Sequence, residues 1–348
     1  MNIKSLLIGS AAALAAVSGA QAADAIIAAE PEPVEYVRVC DAFGTGYFYI
    51  PGTETCLKLS GYVRVQLNVG TADGERAVNT STRSDYDVFA RGRLNIEAKN
   101  DTEYGTLTSY VRFFGRASEG VGDGTNGTEL ELAYIDLAGF RVGKFYSVWD
   151  DILLGETDTL ASNSLFASAR YEYAGEAFTA GLSLDEITYS SANFGGYANV
   201  LPGSNDANLG IAPYLSASFG GVKLNVNGGY DTDREEGAVQ AKLTADLGPG
   251  TFQLAGVYAS GANAYYYRSE WTVAAAYAFK ATEKLTITPA FQYFSDVAFV
   301  DGVDAYRVGL TAAYKVTDGL NLLATVNYYD QDRTDDETWG FLRLQRDF

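Results

Sequence analysis

GAVQAKLTADL, residues 237–247, alternates with a period of two. Val239, Ala241, Leu243, Ala245 and Leu247 share one face; Gln240, Lys242, Thr244 and Asp246 share the other. That is the signature of a strand with one apolar and one polar side. It recurs along the chain. Trp271, Val273, Ala275, Tyr277 and Phe279 share a face. Tyr306, Val308, Leu310, Ala312 and Tyr314 oppose Arg307, Thr311 and Lys315, and Leu320, Leu322, Ala324, Val326 and Tyr328 oppose Asn321, Thr325 and Asn327. Segments of about ten residues cross a bilayer when tilted. About sixteen strands are predicted, beginning near Leu57, Asp85, Gly105, Glu129, Phe140, Phe166, Ala177, Leu209, Val222, Gly237, Thr251, Arg268, Leu285, Asp304, Leu320 and Thr338.

A soluble sandwich alternates too, with its apolar face in a shared core. Two features favour a membrane barrel. Trp271, Tyr314, Tyr328 and Trp339 stand at segment ends, where the aromatic girdles of such barrels lie. The connections alternate in length: tight turns at Phe219–Gly221, Leu247–Gly250 and Thr317–Gly319, and long stretches at Gly70–Arg83, Arg116–Thr128, Ser147–Leu165, Tyr189–Asn208 and Asp330–Glu337. Short periplasmic turns and long extracellular loops give that layout. Strands in lipid must pair every backbone group, so the sheet must close. A barrel this wide leaves an aqueous interior. The fold class expected is therefore all-β, a transmembrane antiparallel β-barrel of about sixteen strands.

The start of the chain fits export. Lys4, the apolar run Ser5–Val17 and Ala20-Gln21-Ala22 read as a signal peptide over residues 1–22. A linker and disulfide segment would follow at 23–55, including the acidic stretch Glu30-Pro-Glu-Pro33, and then a barrel over 56–348. Removing Lys4 with the leader takes the net charge from −19 to −20. A balance that acidic argues against nucleic-acid binding, which needs a basic face. The chain has no histidine, which removes Ser-His-Asp and Cys-His catalysis and the H-E-x-x-H metal site together. No enzymatic activity, cofactor or metal is expected.

Cys40 and Cys56 are the only two thiols. In an oxidising compartment they should form one disulfide, worth about 3 kcal/mol through the unfolded chain. Two thiols without histidine are too few soft ligands for zinc. Other motifs carry little. Gly122–Gly127 matches G-x-G-x-x-G, but without strand–helix context it reads as a loop. Asn79 and Asn126 open glycosylation sequons that mean little in a bacterium. The acidic clusters Asp231–Glu236 and Asp330–Glu337 read as solvated loop charge.

VEYVRVCDAFGTGYFYIPGTETCLKLSGYVRVQ, residues 34–66, resembles the N-terminal signature of general porins of Rhizobiales-type alphaproteobacteria. RVGKFYSVWDD, residues 141–151, resembles the strand leading into their inward-folded third loop, and Phe348 resembles the terminal aromatic read by the barrel-assembly machinery. Arg346 departs from the usual apolar residue two before the end, and reads as snorkelling toward periplasmic headgroups. The resemblance implies an outer-membrane homotrimer, surrounded by outer-membrane lipids and lipopolysaccharide, that passes ions and small hydrophilic solutes. It also implies that the disulfide clips a small hairpin at the periplasmic mouth.

The third long connection supports the same placement on composition. Ser147–Leu165 mixes Ile152, Leu153 and Leu154 with Asp150, Asp151, Glu156 and Asp158. A loop folded against the inner wall would pack the aliphatics and show its acids to the channel. Parity puts Arg64, Arg91, Arg93 and Arg112 opposite to apolar outward neighbours. An arginine facing lipid at mid-membrane costs about 2–4 kcal/mol, so these are expected to point inward. Acids on the loop and arginines on the wall would set up a transverse field across the narrowest point. The expected function is passive diffusion; the competing reading is a plugged barrel serving as an adhesin or structural anchor.

Overall fold

The computed structural model describes residues 38–70, 86–118, 127–188, 191–204 and 206–348. The signal peptide, the Glu30–Pro33 linker, Asn79, Asn126 and most of the Gly70–Arg83 and Gly122–Gly127 stretches lie outside the described residues. The strands are β1 (Tyr47–Tyr49), β2 (Cys56–Gly70), β3 (Tyr86–Thr102), β4 (Gly105–Ser118), β5 (Gly127–Leu137), β6 (Phe140–Tyr146), β7 (Leu165–Ala174) and β8 (Phe178–Ile187). Then come β9 (Ala192–Phe194), β10 (Tyr197–Leu201), β11 (Asn208–Phe219), β12 (Val222–Asp231), β13 (Glu236–Leu247) and β14 (Gly250–Ala259). The last are β15 (Ser269–Lys280), β16 (Leu285–Val297), β17 (Ala305–Thr317), β18 (Leu320–Gln331) and β19 (Glu337–Asp347).

Strands β2–β8 and β11–β19 pair with their neighbours in order, all antiparallel, and β19 pairs with β2 from Trp339↔Gly70 to Asp347↔Tyr62. The sheet is thus a closed sixteen-stranded barrel. Each of the sixteen begins within two residues of its predicted start. Outward positions such as Val63, Val65, Val239, Leu254, Val273, Val308, Leu342 and Leu344 are apolar and exposed. A belt of this kind belongs in lipid. One end carries the tight turns, among them Ala138–Gly139, Gly220–Gly221, Gly248–Pro249 and Asp318–Gly319; the other carries the long connections.

Three expectations need correction. Trp339 does not join the outer girdle: it pairs with Asn327 on the inward row, and the Arg307 guanidinium lies 4.9 Å from its ring. Parity along β19 runs through Trp339, Phe341 and Arg343 on the inside, which sends Leu342, Leu344 and Arg346 out. Asp231 is not solvated either. It is fully buried, and its carboxylate accepts from the N–H groups of Asp233, Arg234 and Ala264. Finally, the stretch between β8 and β11 is more than a surface loop, because β9 and β10 form a hairpin within it.

The cysteine segment closes an exposed edge. β2 runs below the end of β19, whose ladder stops where Phe348 N–H and C=O exchange bonds with Gly61. Past that point β1 takes over as the neighbour, with Tyr49↔Cys56 and Tyr47↔Lys58. Unpaired strand edges invite wrong partners, and β1 covers this one. The Cys40–Cys56 disulfide fixes the cover, its two Cα atoms 5.9 Å apart and both side chains buried. Tyr47 also donates its hydroxyl to Glu97 on β3 (2.7 Å).

The lumen is partly filled. Trp149, Leu160, Tyr265 and Tyr266, from the connections β6–β7 and β14–β15, are fully buried in a cluster with Ala255, Ala274, Ala276 and Ala290 of the inner wall. Those wall residues are small because loops pack on them. On β2–β4 the inward positions hold Tyr62, Arg64, Gln66, Arg91, Arg93 and Arg112 instead. The inner wall there carries long polar side chains where β14–β16 carry small ones.

Candidate functional site

The connection of residues 147–164, between β6 and β7, leaves the wall and runs along the inside of the barrel. Its hydrogen bonds trace the route. Asn227 of β12 donates to Val148 O (2.9 Å), Gln240 of β13 to Leu160 O (3.1 Å), and Leu154 N–H donates to Gln253 of β14 (2.6 Å). Farther round, Gln292 of β16 exchanges two bonds with the Thr159 backbone, Arg307 of β17 donates to Thr157 O (3.0 Å), and Asn327 of β18 donates to Glu156 O (3.3 Å). Gly309 on β17 makes room, since a Cβ there would collide with Thr157 and Asn327. Amide and hydroxyl side chains on the wall thus serve as the loop's missing backbone partners.

The four predicted acids have different surroundings. Asp151 is ion-paired with Lys242 and accepts from Asn225 (2.7 Å), so it binds the loop to the β12–β13 wall. Asp158 accepts from Leu153 N–H (3.2 Å) and closes the loop on itself; its desolvation there raises the carboxyl pKa above the ordinary value. Asp150 is accessible and accepts from Ser164 (3.0 Å). Enclosure by surrounding protein raises its pKa, and the Ser164 bond partly offsets this. Glu156 is ion-paired with Arg343 on β19 at 2.8 Å. Of the three aliphatics expected to pack, only Leu153 does: it is 3% exposed, whereas Ile152 is 53% and Leu154 41% exposed. Exposure alternates along these three residues, with Leu153 turned into the protein and its two neighbours turned out.

The four predicted arginines share the inward row of β2–β4. Arg64 pairs in register with Arg91, and Arg91 with Arg116, so three arginines stand side by side across three strands. Like charges placed opposite one another destabilise a sheet. Ring stacking offsets part of that cost. Arg64 lies 4.8 Å from the Tyr62 ring, Arg91 4.0 Å from Phe114 and Arg116 4.4 Å from Phe89. Arg93 and Arg112 turn toward Glu131, at 3.3 and 3.8 Å. Arg112 also donates to Asn95 (2.8 Å). Among the described residues Arg91 makes no ion pair, and its Nε is buried without a partner.

Sequence reasoning missed Arg116, Arg343, Lys242 and Glu131. Parity on β4 and β19 would have found Arg116 and Arg343. Lys242 already stood on the polar face of the opening stretch. Nothing in the sequence paired it with Asp151, 91 positions away. Among the described residues no group of three or more His, Cys, Asp or Glu is arranged to hold a metal ion.

A family profile described as "Porin subfamily" matches residues 24–342. The chain belongs to this porin subfamily. Outer membrane protein IIIA of Rhizobium leguminosarum bv. viciae is 47% identical, over 98% of this chain and 93% of that protein. Porin Omp2b of Brucella neotomae is 36% identical over the whole of both. Among solved structures, the outer membrane channel DcaP of Acinetobacter baumannii aligns at TM-score 0.67 and 13% identity, over 86% of this chain and 99% of that one. OmpT of Vibrio cholerae, in its trimer form, aligns at TM-score 0.64 and 13% identity, over 85% and 100%. These two share the fold. The porin is an outer-membrane channel for passive diffusion.

Proposed function

We propose that residues 147–164 and the arginine wall of β2–β4 and β19 form the constriction of this porin, and that it selects by size and charge without catalysis. The observation that carries the reading is the Arg64–Arg91–Arg116 row. Arg91, at the centre of the row, makes no ion pair among the described residues, and burying such a guanidinium in a dry, plugged lumen would cost several kcal/mol. Against water, with ring faces behind them, the three arginines are tolerable and attract anions. Asp150 and Glu156 supply the opposing sign from the loop, so a transverse field acts on ions and dipolar solutes. Asp151 and Asp158 hold the loop in place.

Around that core the reading adds a signal peptide at 1–22, a periplasmic segment over 23–55, Phe348 as the assembly signal and a homotrimeric unit in outer-membrane lipid and lipopolysaccharide. The trimeric form of the OmpT neighbour supports the last. Planar-bilayer recording tests the whole: steady open levels support a channel, and their absence supports the plugged-barrel alternative.

A further inference from the structure

The hairpin β9–β10 reaches far from its own strands. It leaves β8 and returns to β11, yet Phe194 is fully buried against Phe294 of β16 and Tyr329 of β18. The Phe194 and Phe294 ring centroids are 5.9 Å apart, and Arg268 lies 5.0 Å from the Phe194 ring. Gly195 O accepts from Gln331 Nε2 at 2.8 Å, with Tyr329 holding the other end of that amide at 2.6 Å. Gln331 ends β18, seven strands round from β11 in a ring of sixteen, close to the opposite point. Gly195 sits at φ +59°, and a Cβ there would overlap both Gln331 and Val297. The other side is pinned too: Leu201 is buried in the loop cluster, and Pro202 O accepts from Arg234.

The socket is costly to build. Asp296, Ala298 and Phe299 all have positive φ, at 53°, 56° and 60°. Non-glycine residues in that region cost on the order of 1 kcal/mol or more each and persist where surrounding structure fixes them. Here Val297 N–H donates to Val303 O and Ala298 N–H to Arg268 O, both at 2.7 Å, and Val297 and Val303 line the Phe194 cluster. The same cage carries Arg307, whose guanidinium lies 5.9 Å from Phe294 and 5.5 Å from Tyr329 while it donates to Thr157 O of the inner loop.

We propose that the Ala192–Leu201 hairpin is a second size filter, fixed across the long-loop mouth by Phe194 and in series with the inner constriction. It rests on the channel reading and specifies where large solutes are first turned away. Bulky neutral solutes should feel it more than small ions, since a neutral strap across an entrance acts by width.

The test uses the full-length porin in bilayers and liposomes. Phe194→Ala should free the strap, and a second variant with Asn193–Val200 replaced by a short Gly-Ser turn removes it should the first fail to assemble. Expected is an increase of about twofold or more in trisaccharide influx with a smaller gain in KCl conductance, as for a relaxed steric constriction. Unchanged trisaccharide influx in an assembled strap-less variant, with the wild type conducting normally, would overturn the second filter and leave the channel intact. A wild type with no steady open level would instead overturn the channel reading beneath it.

Discussion

Glu156 at the far end of the inner loop and Arg343 on the closing strand β19 form an ion pair of 2.8 Å. The loop therefore spans from its origin between β6 and β7 to the seam where β19 meets β2. Both partners are partly accessible, so the pair adds little stability, about 1 kcal/mol or less. Its consequence is positional: it sets a carboxylate beside the arginine row.

Neutralising the two partners should move selectivity in opposite directions. Glu156→Gln should shift the reversal potential in a KCl gradient toward anions, and Arg343→Gln toward cations. Both shifts should shrink as salt rises, because the Debye length falls to about 10 Å at 0.1 M and 3 Å at 1 M. Shifts of the same sign, or shifts insensitive to salt, would mean that neither charge borders the ion path.

The loop should also confer a pH response. Although Asp150 stays accessible, partial desolvation by the protein around it holds its carboxyl above the usual value of 3.8. A raised pKa means the group takes up a proton earlier as pH falls, so the constriction loses a negative charge above the pH at which an ordinary aspartate would. Permeation should move toward anions across that step, and Asp150→Asn should reduce it to whatever the second raised carboxyl, Asp158, contributes. A wild-type response retained in the variant would assign it to another group.

The disulfide secures an edge away from the constriction. Cys56→Ser should lower heat resistance and assembled yield, by up to about 3 kcal/mol of loop-closure effect, and leave single-channel conductance nearly unchanged. Alkylation of unreduced, denatured protein should label neither cysteine; labelling of both would refute the bond.

Phe348 ends the closing strand, its backbone bonded to Gly61 and its ring exposed. Deleting it should reduce the amount of heat-modifiable barrel in the outer membrane. A normal amount would remove the proposed assembly role.

The barrel was legible because period-two alternation is local: each stretch such as 237–247 declares its own faces, and the tight turns mark the boundaries. The same parity placed Arg64, Arg91, Arg93 and Arg112 on the inside. What escaped depends on contacts between residues far apart in the chain. The partners of Asp151 and Asp158 follow from how the loop bends, and Phe194 looks like any loop aromatic until Phe294 and Tyr329 meet it from across the barrel. Trp339 was misplaced because its position near a strand end was given more weight than its parity, which aligns it with Arg343.

Single-channel conductance of the porin with Gly155–Asn163 shortened tests the central claim most directly. The barrel ladder does not depend on that segment, so the variant should assemble, conduct more than the wild type and admit larger sugars. An assembled variant with unchanged conductance and unchanged sugar exclusion would contradict the placement of the constriction at this loop.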